Sequence, residues 1–241
     1  MLTTTKGIVF HQIKYSETSV IAKIYTLNFG LQSYLLKGVR SKKSKISPAL
    51  LQHLSLLEVV YNHKEKSNLQ HVRELRSAHQ YSSIPFHIVK SSITIFVNEL
   101  SYKAIQEKEA NPPLFEFIYD SMQWLDLSEK NYVNFHLIYA MQLSGYLGFF
   151  PRGTYSPHTR FFDMEEGCFV NSRPFHPNYI SDEEAKVFSM LTEFSFDKIE
   201  NLKLDNKIRN HLLDQLIHYY QLHLPNLGEL KSPDVLRTVL N

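Results

Sequence analysis

One cysteine, Cys168, stands among 241 residues. It excludes an internal disulfide framework and any four-cysteine metal site, and it fits a reducing compartment. Glycine is scarce as well, eight residues scattered along the chain. No P-loop or dinucleotide fingerprint is present, and neither HExxH nor GxSxG occurs. No apolar run approaches the roughly 20 residues needed to span a bilayer. The opening Met1-Leu2-Thr3-Thr4-Thr5-Lys6 lacks the basic-then-apolar shape of a secretion signal. These absences lead us to expect a cytoplasmic protein with no membrane partner, no cofactor and no catalytic centre.

What is present is the material of a folded core. Hydrophobic residues make up 43% and charged ones 21%, which argues against disorder. The formal net charge of +2 hides a sharp asymmetry. Residues 1–80 hold 12 Lys and Arg against 4 Asp and Glu, a net of +8, whereas residues 81–241 hold 14 against 20, a net of −6. We expect a basic module at 1–80 that meets an anion, joined to a second module at 81–241 with a different task.

The first module reads as strands. Gly7–Lys14, Ser19–Thr26, Leu31–Lys37, Ser55–Tyr61 and Leu69–Arg76 are β-branched, alternating or both. Pro48-Ala49-Leu50-Leu51 is a short helix-prone piece before the fourth. Five strands in this order match an OB-fold barrel, although other small barrels share much of the pattern. Directly after the third strand comes Lys37-Gly38-Val39-Arg40-Ser41-Lys42-Lys43-Ser44-Lys45, five cations in nine residues with no acid. Flexible cations interleaved with small hydroxyl donors are what phosphate contacts need. Lys37, Arg40, Lys42, Lys43 and Lys45, with Arg73 and Arg76 nearby, are therefore the candidate nucleic-acid contacts. Lys14 and Lys23 are further cations of this module. Tyr15, Tyr25, Phe29, Tyr34 and Tyr61 are candidates for base stacking or, equally, for core packing.

After Gln80 the period changes to that of helices. Phe86, Val89, Ile93, Phe96 and Leu100 trace the first, which Asn111-Pro112-Pro113 should break. Phe115, Ile118, Met122 and Leu125 trace a second, and Asn131–Leu147 a third that stops at Gly148. Ser181-Asp182-Glu183-Glu184 has the form of a capping box opening a helix to about Phe194. Ile208, Leu212, Leu216, Tyr219 and His223 mark another, and Ser232-Pro233 starts a last one. Between these groups, 152–179 is irregular, with Phe161–Asp163 and Cys168–Val170 as short strands around Glu165-Glu166-Gly167. His158, Cys168 and His176 share this segment, but their spacings of ten and eight lack the tight pairs of a structural zinc site. His136, His211 and His218 fall in helical patterns and read as structural. Arg152, Arg160 and Arg173, and Lys203, Lys207 and Arg209, form local cationic groups within the acidic module.

Tyr15-Ser16-Glu17-Thr18-Ser19, then Thr26 and Gly30, then Lys37-Gly38-Val39-Arg40-Ser41-Lys42-Lys43-Ser44 resemble the N-terminal domain of the RecO family of bacterial recombination mediators. Asn98-Glu99-Leu100 and Leu147-Gly148-Phe149-Phe150-Pro151 are similar to that family's helical landmarks in the same order. The resemblance implies an α+β protein: an N-terminal OB-fold at 1–80, then an all-helical domain at 81–241 with a small irregular subdomain at 152–179. It implies DNA repair by annealing of complementary strands and by loading RecA onto single strands coated with single-strand-binding protein. The implied partners are single- and double-stranded DNA, RecR, the acidic C-terminal tail of single-strand-binding protein and, indirectly, RecA; the implied location is the bacterial nucleoid. Many members hold zinc with two CxxC pairs after Gly-Phe-x-Pro. Here Tyr155, Ser156, Pro157 and His158 stand where the first pair is expected, so the segment should fold on its aromatic residues. The residues alone leave two other classes open: a generic OB-type nucleic-acid-binding module with a helical protein-interaction domain, and a helical enzyme using the 152–179 segment.

Overall fold

Five strands open the chain in the computed structural model, which describes residues 2–39, 41, 44, 46–64, 67–106 and 108–240. They are β1 (Leu2–Lys14), β2 (Val20–Thr26), β3 (Gly30–Leu36), β4 (Leu56–Asn62) and β5 (Gln70–His79). Each pairs on both sides in the order β1-β2-β3-β5-β4, and β4 returns to β1, which closes the sheet into a barrel. All pairings are antiparallel except that of β3 with β5, where Tyr34 meets Gln70 and Leu35 meets His71. The interior is filled by Val9, Ala22, Ile24, Tyr34, Val59 and Tyr61 among others, all buried. A short 3-10 helix at Pro48–Leu51, capped by the Ser47 side chain, inserts Leu51 into this core.

Two helices belong to the same compact unit, which runs from Met1 to Leu127. They are α1 (Ile88–Ala104) and α2 (Pro112–Leu127). They cover a second apolar face of the barrel wall: Phe10 and Tyr25 stack at 5.6 Å, Tyr25 meets Phe115 at 6.1 Å, and Phe10 meets Tyr102 at 6.4 Å. A β-bulge between Val9 and His11 turns Phe10 to that side. The Asp126 carboxylate ties the two helices to the end of β5. It accepts the backbone N–H groups of Ser82, Ser83 and Ile84 at 2.9, 2.9 and 3.0 Å. The unit carries 15 Lys and Arg against 10 Asp and Glu. The charge boundary at residue 80 therefore falls inside it.

The second unit, Ser128–Asn241, holds α3 (Phe135–Tyr146), α4 (Asp182–Leu191), α5 (Asn206–His223) and α6 (Ser232–Leu240). It also holds a small sheet of β6 (Phe161–Asp163), β7 (Cys168–Val170) and β8 (Tyr179–Ser181), with β6 central. Tyr220 donates its hydroxyl to the Ala140 carbonyl and Tyr219 to that of Phe149, each at 2.6 Å, which locks α5 against α3 and the stretch following it. Among the described residues no helix is long and apolar enough to cross a membrane.

Three local expectations are corrected. Asn111-Pro112-Pro113 does not merely interrupt a helix: α2 begins at Pro112, because proline is at home in a first turn whose N–H groups have no partner. The third helix starts at Phe135 and not at Asn131, which has a left-handed backbone at φ 64°. The capping box does not form. Ser181 belongs to β8, its side chain makes no capping bond, and the chain enters α4 through Asp182 at φ 51°.

Candidate nucleic-acid interface

The basic loop leaves the barrel at the end of β3. Gly38 adopts φ 72°, a conformation glycine takes without steric penalty. Its carbonyl accepts both the Ser41 N–H at 3.0 Å and the Ser41 hydroxyl at 2.8 Å. Val39 plunges into the barrel core, so the root of the loop is fixed at both a polar and an apolar point. The parallel step from Leu35 to His71 lays the start of β5 alongside that root. The result is a cleft of about 340 Å³ in which Lys37 and Arg73 face Ser41, Ser44 and His71, and among the described residues none that lines it is acidic. Both cations are exposed. A concave site whose described lining offers two exposed cations, hydroxyls and an imidazole suits phosphate oxygens.

The other candidates separate. Arg40, Lys42, Lys43 and Lys45 lie outside the described residues. Arg76 sits three positions beyond Arg73, pairs with the Glu74 carboxylate at 2.7 Å and stands opposite Glu58 in the β4–β5 register, so it is surrounded by acid. Lys23 donates to the Ser33 hydroxyl at 2.8 Å. Of the aromatic candidates, Tyr25, Tyr34 and Tyr61 are buried and serve packing. Burial, with Tyr61 beside it, pushes the Tyr34 phenol well above its ordinary range. Phe29 stacks on His63 at 4.5 Å, and Tyr15 alone of the five is exposed. His71 was invisible to sequence reasoning because only the parallel closure of β3 on β5 brings it to the loop.

Sequence comparisons cover the whole chain. The model described as recombination protein O N terminal matches residues 1–81, and that described as recombination protein O C terminal matches residues 85–233. A protein named DNA repair protein RecO from Phocaeicola vulgatus is 36% identical over 241 residues, all of both chains. Those of Bacteroides fragilis, 35% identical over 242 residues with full coverage, and Flavobacterium psychrophilum, 37% over 239 residues and 98% of each chain, carry the same name. The chain belongs to the RecO family.

The zinc of many RecO-family proteins does not fit the residues present here. Ser156 and Thr159 share a hydroxyl hydrogen bond at 2.7 Å, and the Tyr155 N–H donates to Ser189. His176 lies between Asp163 and Glu165 at 3.2 and 3.5 Å. Cys168 sits in β7 opposite Asp163. Among the described residues no three His, Cys, Asp or Glu side chains are gathered to hold a metal. Aromatic packing binds the segment instead, with Phe162 at 4.9 Å from Phe169, 4.8 Å from Phe188 and 5.4 Å from Tyr219. The cationic groups of this unit are largely engaged as well. Arg160 pairs with Asp182, and Arg209 is buried with donors to Asn134, Asn206 and the Leu204 carbonyl. Lys207 lines a groove with Glu183, Glu184 and Asp214.

Proposed function

We propose that the protein is a non-catalytic recombination mediator: it binds single-stranded DNA, anneals complementary strands and, with RecR, helps load RecA onto strands coated by single-strand-binding protein. The observation that carries this reading is the cleft at Lys37 and Arg73, without an acid among its described lining residues, at the root of a loop with five cations. The strand order β1-β2-β3-β5-β4, with β1 shared between both ends of the sheet, supports an OB-type barrel. Membership of a family of DNA repair proteins supports the biological setting.

The physics of mediation needs no bond to be broken. A cationic barrel lowers the repulsion between two polyanions and releases their condensed counterions, so complementary strands are held close enough to pair. The helical module supplies protein contacts, with the single-strand-binding protein tail and RecR as the proposed partners in the cytoplasm and nucleoid. An annealing assay with complementary oligonucleotides, run with and without the matching RecR, tests this. Annealing that responds to RecR is expected; binding with neither annealing nor a RecR response leaves a generic nucleic-acid-binding module. Turnover of a nucleotide or of the DNA itself would contradict the non-catalytic reading.

A further inference from the structure

The connection from β7 to β8, residues 171–178, crosses the central strand β6 and is held at its C-terminal side. His176 is fixed by Asp163 and Glu165, Asn178 donates to Glu165 at 2.7 Å, and the Met164 N–H donates to the Asn178 carbonyl at 3.0 Å. Pro174 and Pro177 restrict φ on either side of Phe175. On this constrained loop Phe175 is 110% exposed, its ring entirely in water. Phe162 and Phe169 of the same subdomain are 0% and 8% exposed, so the segment buries aromatic rings readily and leaves this one out. Two positions back, the Arg173 guanidinium lies 5.1 Å from the centroid of the Tyr179 ring. Arg173, Phe175, His176, Tyr179 and the two prolines surround an open recess of about 570 Å³, with no carboxylate among its described lining residues.

We propose that Phe175 and Arg173 form a stacking site for one unpaired base of single-stranded DNA, the ring taking the base and the guanidinium the neighbouring phosphate. This rests on the reading that the protein holds single strands. A protein partner is less suited to the recess. Protein interfaces are built around several clustered apolar anchors, whereas the one fully exposed ring here stands among Asn171, Ser172, Arg173, His176 and Asn178, and the Tyr179 ring is already faced by Arg173. A nucleobase requires only a π-face and a nearby cation, and bases in duplex DNA are already stacked. The unit containing the site carries 11 Lys and Arg against 14 Asp and Glu. Its contribution therefore comes from stacking, and the counterion release remains with the barrel.

The test uses the full chain with an oligothymidylate of about 30 nucleotides, longer than one barrel's site, and an abasic oligomer of equal charge. Phe175→Ala should weaken oligothymidylate binding about tenfold at every salt concentration, leaving the salt slope and the abasic affinity unchanged. Phe175→Trp should retain affinity, and its fluorescence should be quenched by oligothymidylate and not by the abasic oligomer. If Phe175→Ala binds oligothymidylate as the parent does while charge reversal of Lys37 and Arg73 abolishes binding, the stacking site is wrong and the DNA reading stands. If the parent binds neither oligomer, the DNA reading falls and the stacking site with it. Unchanged DNA binding with lost binding of RecR or of single-strand-binding protein overturns the proposal and makes Phe175 a protein contact.

Discussion

Lys90 is buried to 3% exposure and donates its ammonium to the backbone carbonyl of Asp126 at 2.9 Å. The same ammonium reaches the Ser83 hydroxyl at 2.7 Å, and the Ser83 N–H reaches the Asp126 carboxylate. A cation on α1 and an anion on α2 are thus joined through the segment that leaves the barrel, with every charge hydrogen-bonded. Burial raises the Asp126 carboxyl, but the N–H groups of Ser82, Ser83 and Ile84, with His79, outweigh it and hold the carboxyl well below the usual carboxylate range.

From this follows an acid limb in the stability of the first unit. A carboxyl with a depressed folded-state pKa contributes stability that is present above about pH 4 and is lost as the pH falls further. Asp126→Asn should remove that limb, and Asp126→Ala should cost about 3–5 kcal/mol by leaving the buried N–H groups of Ser82, Ser83 and Ile84 without their acceptor. Urea titrations at pH 7 and pH 3 measure both. An Asp126→Asn protein with the parent's acid sensitivity would contradict this account.

In the cleft, Lys37→Glu together with Arg73→Glu should weaken single-strand binding at all sequences. The slope of log K against log salt should flatten by about 0.7 for each phosphate that is no longer neutralised. Arg40, Lys42 and Lys43 changed together to Glu should behave alike. Arg76→Glu, already among acids, should leave the slope unchanged. An unchanged slope in the first variant would take the cleft out of the DNA path.

The second unit should show its own pH dependence through His136. Burial, with Arg209 nearby, lowers this imidazole to about 3 from its ordinary 6.5. The unfolded chain then takes up the proton first, so the contribution is complete above about pH 6.5 and declines as the pH falls towards 3. His136→Gln should flatten the stability profile over that window even if it lowers the plateau. A profile with the parent's slope would exclude His136 as its source.

In the small sheet, Phe162→Ala should cost about 3–5 kcal/mol, the range for a large side chain removed from a packed core. Chelator should leave the Tm of the parent protein unchanged. A stoichiometric zinc lost on replacing His158, Cys168 or His176 would show that the metal, and not the rings, holds the segment.

The five strands were legible because β-branched or apolar runs recur between turn residues, and the pair Phe161–Asp163 and Cys168–Val170 because aromatic residues flank the turn Glu165-Glu166-Gly167. The first half of β1 was not, since Thr3, Thr4, Thr5 and Lys6 carry no apolar alternation; pairing with Glu58–Tyr61 makes them a strand. Sequence reasoning did not sort the barrel aromatics into core and surface because the barrel wall is apolar on both faces where α1 and α2 cover it, so alternation stops reporting exposure there. Phe175 was hidden for the opposite reason: a phenylalanine between prolines looks like core until its surroundings are known. Asp126 gave no signal at all, as its partners lie more than forty residues away in sequence.

The continuity of the barrel with α1 and α2 sets where this chain tolerates being divided. A gene cut after Gln80 would leave Phe10 and Tyr25 facing water and strip the Ser82–Ile84 amides and Asp126 of one another. The shorter product would carry the full positive charge with an incomplete hydrophobic seal, a combination that favours aggregation. A cut between Leu127 and Ser128 severs none of these bonds. Any exchange of the barrel between relatives must therefore move some 127 residues as one inheritance.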